Sequence, residues 1–237
     1  MGTHIYSGSL VRFYTNDWEN EVQRYARESG HTYSTNWSGK EPSWPTRDEA
    51  AARLGQMRSD LLRTIELEPE SALWRGDVAD YHTIKLHAEA REAIKIVAAH
   101  LHRPDLPFPT EMPEDAQLDP AYAEAADKGY LIGPIAAFDC SLIIPGRFER
   151  VTFVASPLNE RVLLCSTEFL RASLYFVANG FWNATVKPAE WRARGLIFAR
   201  GDEEPDEALK GNAEFAFGVY SEMLKYSDAH ATAIAIW

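Results

Sequence analysis

The sequence predicts an α+β fold from three observations: helical periodicity before residue 130, runs of β-forming residues after it, and no regular alternation of the two. With 237 residues, 46% of them hydrophobic and 25% charged, the chain has the composition of a globular protein that buries a sizeable core. We therefore expect a mainly helical N-terminal half packed on a small antiparallel sheet, in a single domain spanning 1–237. The alternative is two sub-lobes, 1–104 and 130–237, joined by the acidic, proline-rich stretch 105–129.

The helices of the first half are predicted from apolar spacing and capping residues. A first helix follows a stripe at three- and four-residue steps, formed by Val11, Tyr14, Trp18, Val22 and Tyr25. Ser9 can cap its start and Gly30 can end it. A capping box at residues 46–49 opens a second helix, whose apolar face consists of Leu54, Met57, Leu61 and Ile65. A third helix is expected from about residue 80 to residue 102, where Pro104 stops it.

The second half changes to β-forming residues. Runs at 138–144, 151–155 and 161–165 are separated by turn sequences and predict a three-stranded antiparallel meander. Helices are expected from about 166 to 180, after Pro188 and after Pro205. The stripe of the last helix consists of Leu209, Ala216, Val219, Tyr220 and Met223. The closing segment 231–237 is expected to add a strand at the edge of the meander.

One segment has an unusual charge, and we call residues 105–127 the acidic tract. It contains no Lys or Arg, in a chain of net charge −11, and its seven carboxylates are Asp105, Glu111, Glu114, Asp115, Asp119, Glu124 and Asp127. Its prolines predict extended or turned backbone, followed by a short helix from Asp119-Pro120 to Gly129. Such a surface repels phosphates and attracts cations, which disfavours binding to nucleic acid and favours a basic protein partner.

These observations favour an acidic binding protein that neutralises or recognises a basic protein partner. Trp and Tyr anchor many protein interfaces, and the long polar stretch 31–45 carries three such residues. The candidate partner-binding residues are Tyr33, Trp37, Trp44, Asp105, Glu111, Glu114, Asp115 and Asp119. In composition the chain resembles small acidic immunity proteins, and that resemblance implies binding to a toxin rather than catalysis.

Two alternatives remain open. Cys165 is followed by Arg171 at the spacing of the cysteine phosphatase loop, which would make the protein a Cys165-dependent hydrolase or phosphatase. The sequence departs from that family at Leu164, where the family has His, and at Ala172, where it has Ser or Thr, and it lacks the loop glycines. The second alternative is a non-catalytic interaction protein that forms a homodimer by edge pairing through the C-terminal strand.

Other classes of function lose their main sequence support. The chain contains no phosphate-binding glycine loop, dinucleotide fingerprint or serine-hydrolase elbow, and its histidines do not have metal-ligand spacing. We therefore expect no metal and no cofactor. The N-terminus lacks a signal-peptide pattern, no apolar run is long enough to cross a bilayer, and two cysteines are too few for a disulfide scaffold. A cytoplasmic location without membrane association is the expectation.

Overall fold

The computed structural model describes residues 2–32, 43–66, 74, 78–128, 133–181 and 208–237. Its strands are β1 Gly2–Gly8, β2 His82–His87, β3 Leu142–Ile144, β4 Thr152–Ala155, β5 Arg161–Ser166 and β6 Ala233–Ile236. Its helices are α1 Leu10–Tyr14, α2 Glu21–Glu28, α3 Arg47–Thr64, α4 Ala88–His102, a 3-10 helix Ala116–Leu118, α5 Pro120–Asp127, α6 Ile135–Asp139, α7 Thr167–Phe181 and α8 Leu209–His230. The predicted α+β class is confirmed.

The six strands form one mixed sheet in the order β2-β1-β6-β3-β5-β4. Neighbouring strands are antiparallel except β3 and β5, which are parallel. Strands from 1–104 and from 130–237 are hydrogen-bonded to each other through β1 and β6. The acidic tract therefore does not join two separate sheets.

Helices cover both faces of this sheet. One core includes residues of α4, α5, α6, α7 and α8, and the other includes residues of α1 and α3. Successive strand residues alternate between the two cores: Ile5 and Ile143 belong to the first, while Tyr6 and Leu142 belong to the second. Because both faces are covered, the central strands consist almost entirely of buried residues.

The prediction of a three-stranded antiparallel meander was wrong. β4 and β5 form the expected antiparallel hairpin, but β3 pairs with β5 in parallel and does not contact β4 as a neighbour. The first predicted strand is also shorter than expected, because α6 occupies Ile135–Asp139. Apolar runs of this length suit a buried helix as well as a strand, so the pattern alone did not separate them.

The closing segment is a strand, but it does not lie at an edge. β6 is hydrogen-bonded to β1 on one side and to β3 on the other. Both of its edges are therefore occupied, so edge pairing of two chains through this strand is blocked in the folded protein. The free edges of the described sheet belong to β2 and β4.

The N-terminal half is less helical than predicted. β1 was not expected, and the first predicted helix is divided into α1 and α2 at residues 15–20, where Asn16 has a φ of 55° and Asn20 caps α2. The third predicted helix begins eight residues late, because β2 occupies the segment before it. In β2, Ile84 and Leu86 are buried at alternate positions, which is the period of a strand. This pattern is short, and no Gly or Pro separates it from α4, so the sequence does not mark where the strand ends and the helix begins.

Several local predictions were confirmed. The hydroxyl of Thr46 and the carboxylate of Glu49 form the predicted capping box of α3. Asp119 caps α5 and Pro120 is its first residue. The predicted stripes of α3 and α8 are buried. In the part of the chain that the structure describes, none of the helices is both long and apolar enough to span a bilayer.

Candidate protein-binding surface

The acidic tract is held against the rest of the fold at several points. Near its start, the N–H of Leu106 donates to the carbonyl of Arg103, 3.0 Å away. Further along, Glu111 forms a β-bridge with Ala208, and the N–H of Leu209 donates to the carbonyl of Thr110 at 3.4 Å. These main-chain bonds fix the middle of the tract beside the first residues of α8.

Arg103 neutralises part of the charge of the tract. Its guanidinium donates two hydrogen bonds to the carboxylate of Asp105, of 2.9 and 2.8 Å, and it also contacts Glu124. The bonds from Arg103 lower the pKa of Asp105 from its usual 3.8 to about 2. Lys128 contacts Glu124 as well. Asp105 is exposed, but much of its charge is matched by a neighbouring cation.

Asp119 does not belong to the surface, and its prediction as a partner-binding residue needs correction. Its side chain is only 5% exposed. One carboxylate oxygen accepts a 2.9 Å hydrogen bond from the N–H of Tyr122, and the other lies 2.8 Å from Nε2 of His100. A buried carboxylate must be paired, and here the first turn of α5 and His100 provide the partners.

His100 links α4 to the acidic tract. Nε2 contacts Asp119, while Nδ1 is buried and has no hydrogen-bond partner among the described residues. The ring of Phe108 packs against the imidazole at a centroid distance of 5.0 Å, and Phe108 also contacts Phe181 at 4.8 Å. Phe108 therefore covers a buried His–Asp pair while 38% of its own surface stays exposed.

The remaining carboxylates are exposed. Glu111, Glu114, Asp115 and Asp127 form no salt bridge with any Lys or Arg of the described ranges. The carboxylate of Asp115 accepts a 2.9 Å hydrogen bond from the N–H of Gln117, which caps the 3-10 helix. Leu118, at the end of that helix, is 71% exposed. The exposed part of the tract thus combines uncompensated negative charge with apolar side chains.

Sequence reasoning missed Phe108 and Leu118 as exposed apolar residues within the tract. One signal was present for Phe108, which lies between Pro107 and Pro109 in a segment that has to be extended. No comparable signal existed for Leu118, because a Leu beside the start of a helix is more often part of the core.

The structure describes one of the three predicted aromatic anchors. Tyr33 and Trp37 lie outside the described residues. Trp44 is half-buried and packs its ring against Trp237 at a centroid distance of 5.4 Å. Its indole nitrogen is buried. This aromatic side chain therefore packs within its own protein.

The arrangement around Cys165 does not resemble a catalytic thiol site. Cys165 is completely buried on β5, and Cys140 next to it is completely buried as well. Burial raises the pKa of the Cys140 thiol well above its usual value. Arg171 points away from this core and pairs with Asp228 at 2.9 Å. The N–H of Phe169, in the first turn of α7, donates to the hydroxyl of Ser166 at 3.0 Å.

The histidines of the β2 region also pack as structural residues. His82 stacks on Tyr226 at 5.3 Å, and burial lowers the pKa of this histidine. His87 packs on Phe215 at 5.3 Å. Within the described ranges, no group of three His, Cys, Asp or Glu side chains is placed to hold a metal ion.

The exposed carboxylates Glu111, Glu114 and Asp115, with Phe108 and Leu118, make up the candidate surface, and we call these five residues the tract surface. It has no reactive nucleophile, so the chemistry that it offers is attraction of cations and contact with apolar groups. The chain matches no protein-family model, and no curated protein or solved structure matches it.

Proposed function

We propose that the protein binds a basic protein partner through the tract surface. The observation that carries this proposal is the exposure of Glu111, Glu114 and Asp115 without cation partners among the described residues, beside exposed Leu118. Charge complementarity of this kind accelerates encounter with a basic partner, while apolar contacts slow dissociation. Neutralisation of a basic toxin, as by an immunity protein, is the form of this function that the net charge of −11 favours.

The fixed position of the tract supports binding. Ordering a flexible segment on binding consumes part of the interaction free energy, and a segment that is already ordered avoids this loss. The tract is held by the Glu111–Ala208 bridge, the Asp119 cap and the Arg103–Asp105 pair. A partner would therefore meet carboxylates whose backbone is already in place.

The local ion pairs indicate which carboxylates of the tract remain available to a partner. Asp105 and Glu124 already contact Arg103, and Asp119 is buried against His100. Partner binding should therefore depend on Glu111, Glu114 and Asp115 more than on Asp105, Asp119 and Glu124. Exposed ion pairs contribute about 0.2–1 kcal/mol each, so the loss of three of them weakens affinity about three- to 160-fold. Replacement by Lys adds repulsion of a basic partner, so the expected rise in the dissociation constant is about tenfold or more.

The proposal is tested with two triple variants that change the net charge by the same amount. Glu111, Glu114 and Asp115 are replaced by Lys in the first, and the exposed residues Glu66, Glu89 and Glu149 are replaced by Lys in the control. Both variants and the wild type are immobilised and exposed to an extract of the producing cells at low and high salt. Retained proteins are identified and then titrated as purified components.

We expect a basic protein that is retained by the wild type and by the control, but is lost from the tract variant and at high salt. Its dissociation constant should rise about tenfold or more in the tract variant. Equal loss from both variants would show that binding depends on overall charge alone, and equal retention by all three proteins would contradict a role of the tract surface. A neutral or acidic partner that remains bound at high salt would contradict the proposal.

A further inference from the structure

The two edges of the sheet differ in how well their main chains are protected. β2 carries the ionisable side chains His82 and Lys85. A helix packs against each of the two edge strands, α2 against β2 and α3 against β4. β4 has the sequence Thr-Phe-Val-Ala without a charge, and its Phe153 is 42% exposed. Charged residues and covering elements are the usual protection of edge strands against pairing with other chains. Of the two edges in the described sheet, β4 is therefore the one without a charged residue of its own.

The register shows which main-chain groups of β4 face outward. At the end of the hairpin the N–H of Ser156 donates to the carbonyl of Glu160 at 2.8 Å. Because bonded and non-bonded pairs alternate in an antiparallel ladder, Thr152 and Val154 bond to β5, and the N–H and C=O groups of Phe153 and Ala155 point away from it. The carbonyl of Leu163, opposite Phe153, accepts from Ser141 on the β3 side, in agreement with this assignment.

We propose that β4 is a self-association edge, at which a second copy of this chain adds its own β4 in antiparallel orientation. A twofold axis beside Val154 places Phe153 of each copy opposite Ala155 of the other. The outward N–H and C=O groups of these two residues then form four main-chain hydrogen bonds between the copies. A twofold interface must be complementary to itself, and this register satisfies that condition.

The side chains on both faces of β4 fit this arrangement. On one face, the guanidinium of Arg161 lies 3.8 Å from the centroid of the Phe153 ring, and the ring meets the small side chain of Ala155 from the second copy with its remaining surface. On the other face, Val154 lies beside a groove of about 260 Å³ between α3 and β4, with Met57 and Leu61 among its lining residues. Val154 of the second copy lies on that same face, next to this groove, and adds apolar contact there.

The charges around the groove favour a second copy over a basic partner. Arg53 on one wall donates to the carbonyl of Pro157 at 2.6 Å. Asp60 on the same wall pairs with Arg63 at 2.6 Å. Both signs of charge are present on this wall, and each charged group has a hydrogen-bond partner within the protein, unlike the exposed carboxylates of the tract surface. A basic protein therefore gains little here, while an identical surface brings no concentrated like charge.

The test is sedimentation velocity of the full chain over a range of concentrations, with three variants. Phe153→Lys places a charge on the exposed face of β4, and Ala155→Pro removes one outward N–H without removing a bond to β5. The matched control is Tyr175→Lys, which introduces the same charge at another exposed aromatic residue. Circular dichroism establishes that each variant remains folded.

We expect the wild type and Tyr175→Lys to reach twice the monomer mass as concentration rises, while Phe153→Lys and Ala155→Pro stay monomeric. In the wild-type dimer, the amide hydrogens of Phe153 and Ala155 should become protected from exchange. A wild type that is monomeric at every concentration would overturn the proposal, as would a dimer that persists in Phe153→Lys. Protection of these amides only on addition of a different protein would assign the edge to that protein instead.

Discussion

The acidic tract carries carboxylates and the region around β5 carries two thiols, and the fold places these two kinds of side chain in opposite environments. Glu111, Glu114 and Asp115 remain in contact with solvent, while Cys165 and Cys140 are completely buried. The tract also contains its own exception, because Asp119 is buried against His100. The comparison teaches that a reactive residue type indicates function only where the fold leaves it accessible.

The largest expected effect concerns the thiols. Because Cys140 and Cys165 are completely buried, Ellman's reagent should reach them only when the protein opens. Labelling of the native protein should therefore be at least about a thousandfold slower than labelling in denaturant, as the stability of a typical domain implies. The control is Tyr175→Cys, whose exposed thiol should react at once. Rapid labelling of both native cysteines would remove the contrast between the two regions.

The next effect concerns Asp119, the buried carboxylate of the tract. Asp119→Ala removes the N-cap of α5 and leaves His100 buried without its partner, so we expect the free energy of unfolding to fall by about 2–4 kcal/mol. Urea unfolding measures this change. Asp115→Ala, the same substitution at the exposed cap of the 3-10 helix, should lower stability by less than about 1 kcal/mol. Similar losses in both variants would mean that Asp119 is no different from the exposed carboxylates.

The smallest effect concerns the ion pair at the start of the tract. The bonds from Arg103 hold the pKa of Asp105 at about 2, so Arg103→Gln should return it towards 3.8. The lowered pKa means that the pair stabilises the fold above pH 3.8 and that this contribution is lost as the pH falls towards 2. An NMR titration of the Asp105 carboxyl carbon measures the shift. An unchanged pKa in the variant would show that Arg103 does not compensate the tract.

The local elements of the fold could be predicted from sequence because their signals lie within a few residues. The capping box at Thr46 and Glu49, the Asp119-Pro120 start of α5 and the stripe of α8 are examples. The order of the strands could not be predicted in this way. Pairing of β6 with β1 and β3 depends on contacts between distant segments, which leave no local pattern.

The candidate site, too, could be predicted only where its features depend on nearby residues. The exposure of Glu111, Glu114 and Asp115 agrees with their polar, proline-rich surroundings. The inward orientation of Asp119 depends on His100, 19 residues earlier in the chain, and no spacing rule connects a helix cap to a histidine on another helix. The burial of Cys165 depends on the packing of α7 against β5, which follows from the tertiary fold alone.

The central position of β6 has a consequence for how the protein is made. β6 alone connects the pair β2-β1 with the trio β3-β5-β4, and it follows all five of them in chain order. During synthesis the strand pair β2-β1 and the trio β3-β5-β4 therefore cannot be joined until residues 233–236 have left the ribosome. Until then, β1 and β3 each have an unpaired edge. Such late, long-range closure slows folding and exposes nascent chains to aggregation, so chaperone dependence should be greatest just before those residues emerge.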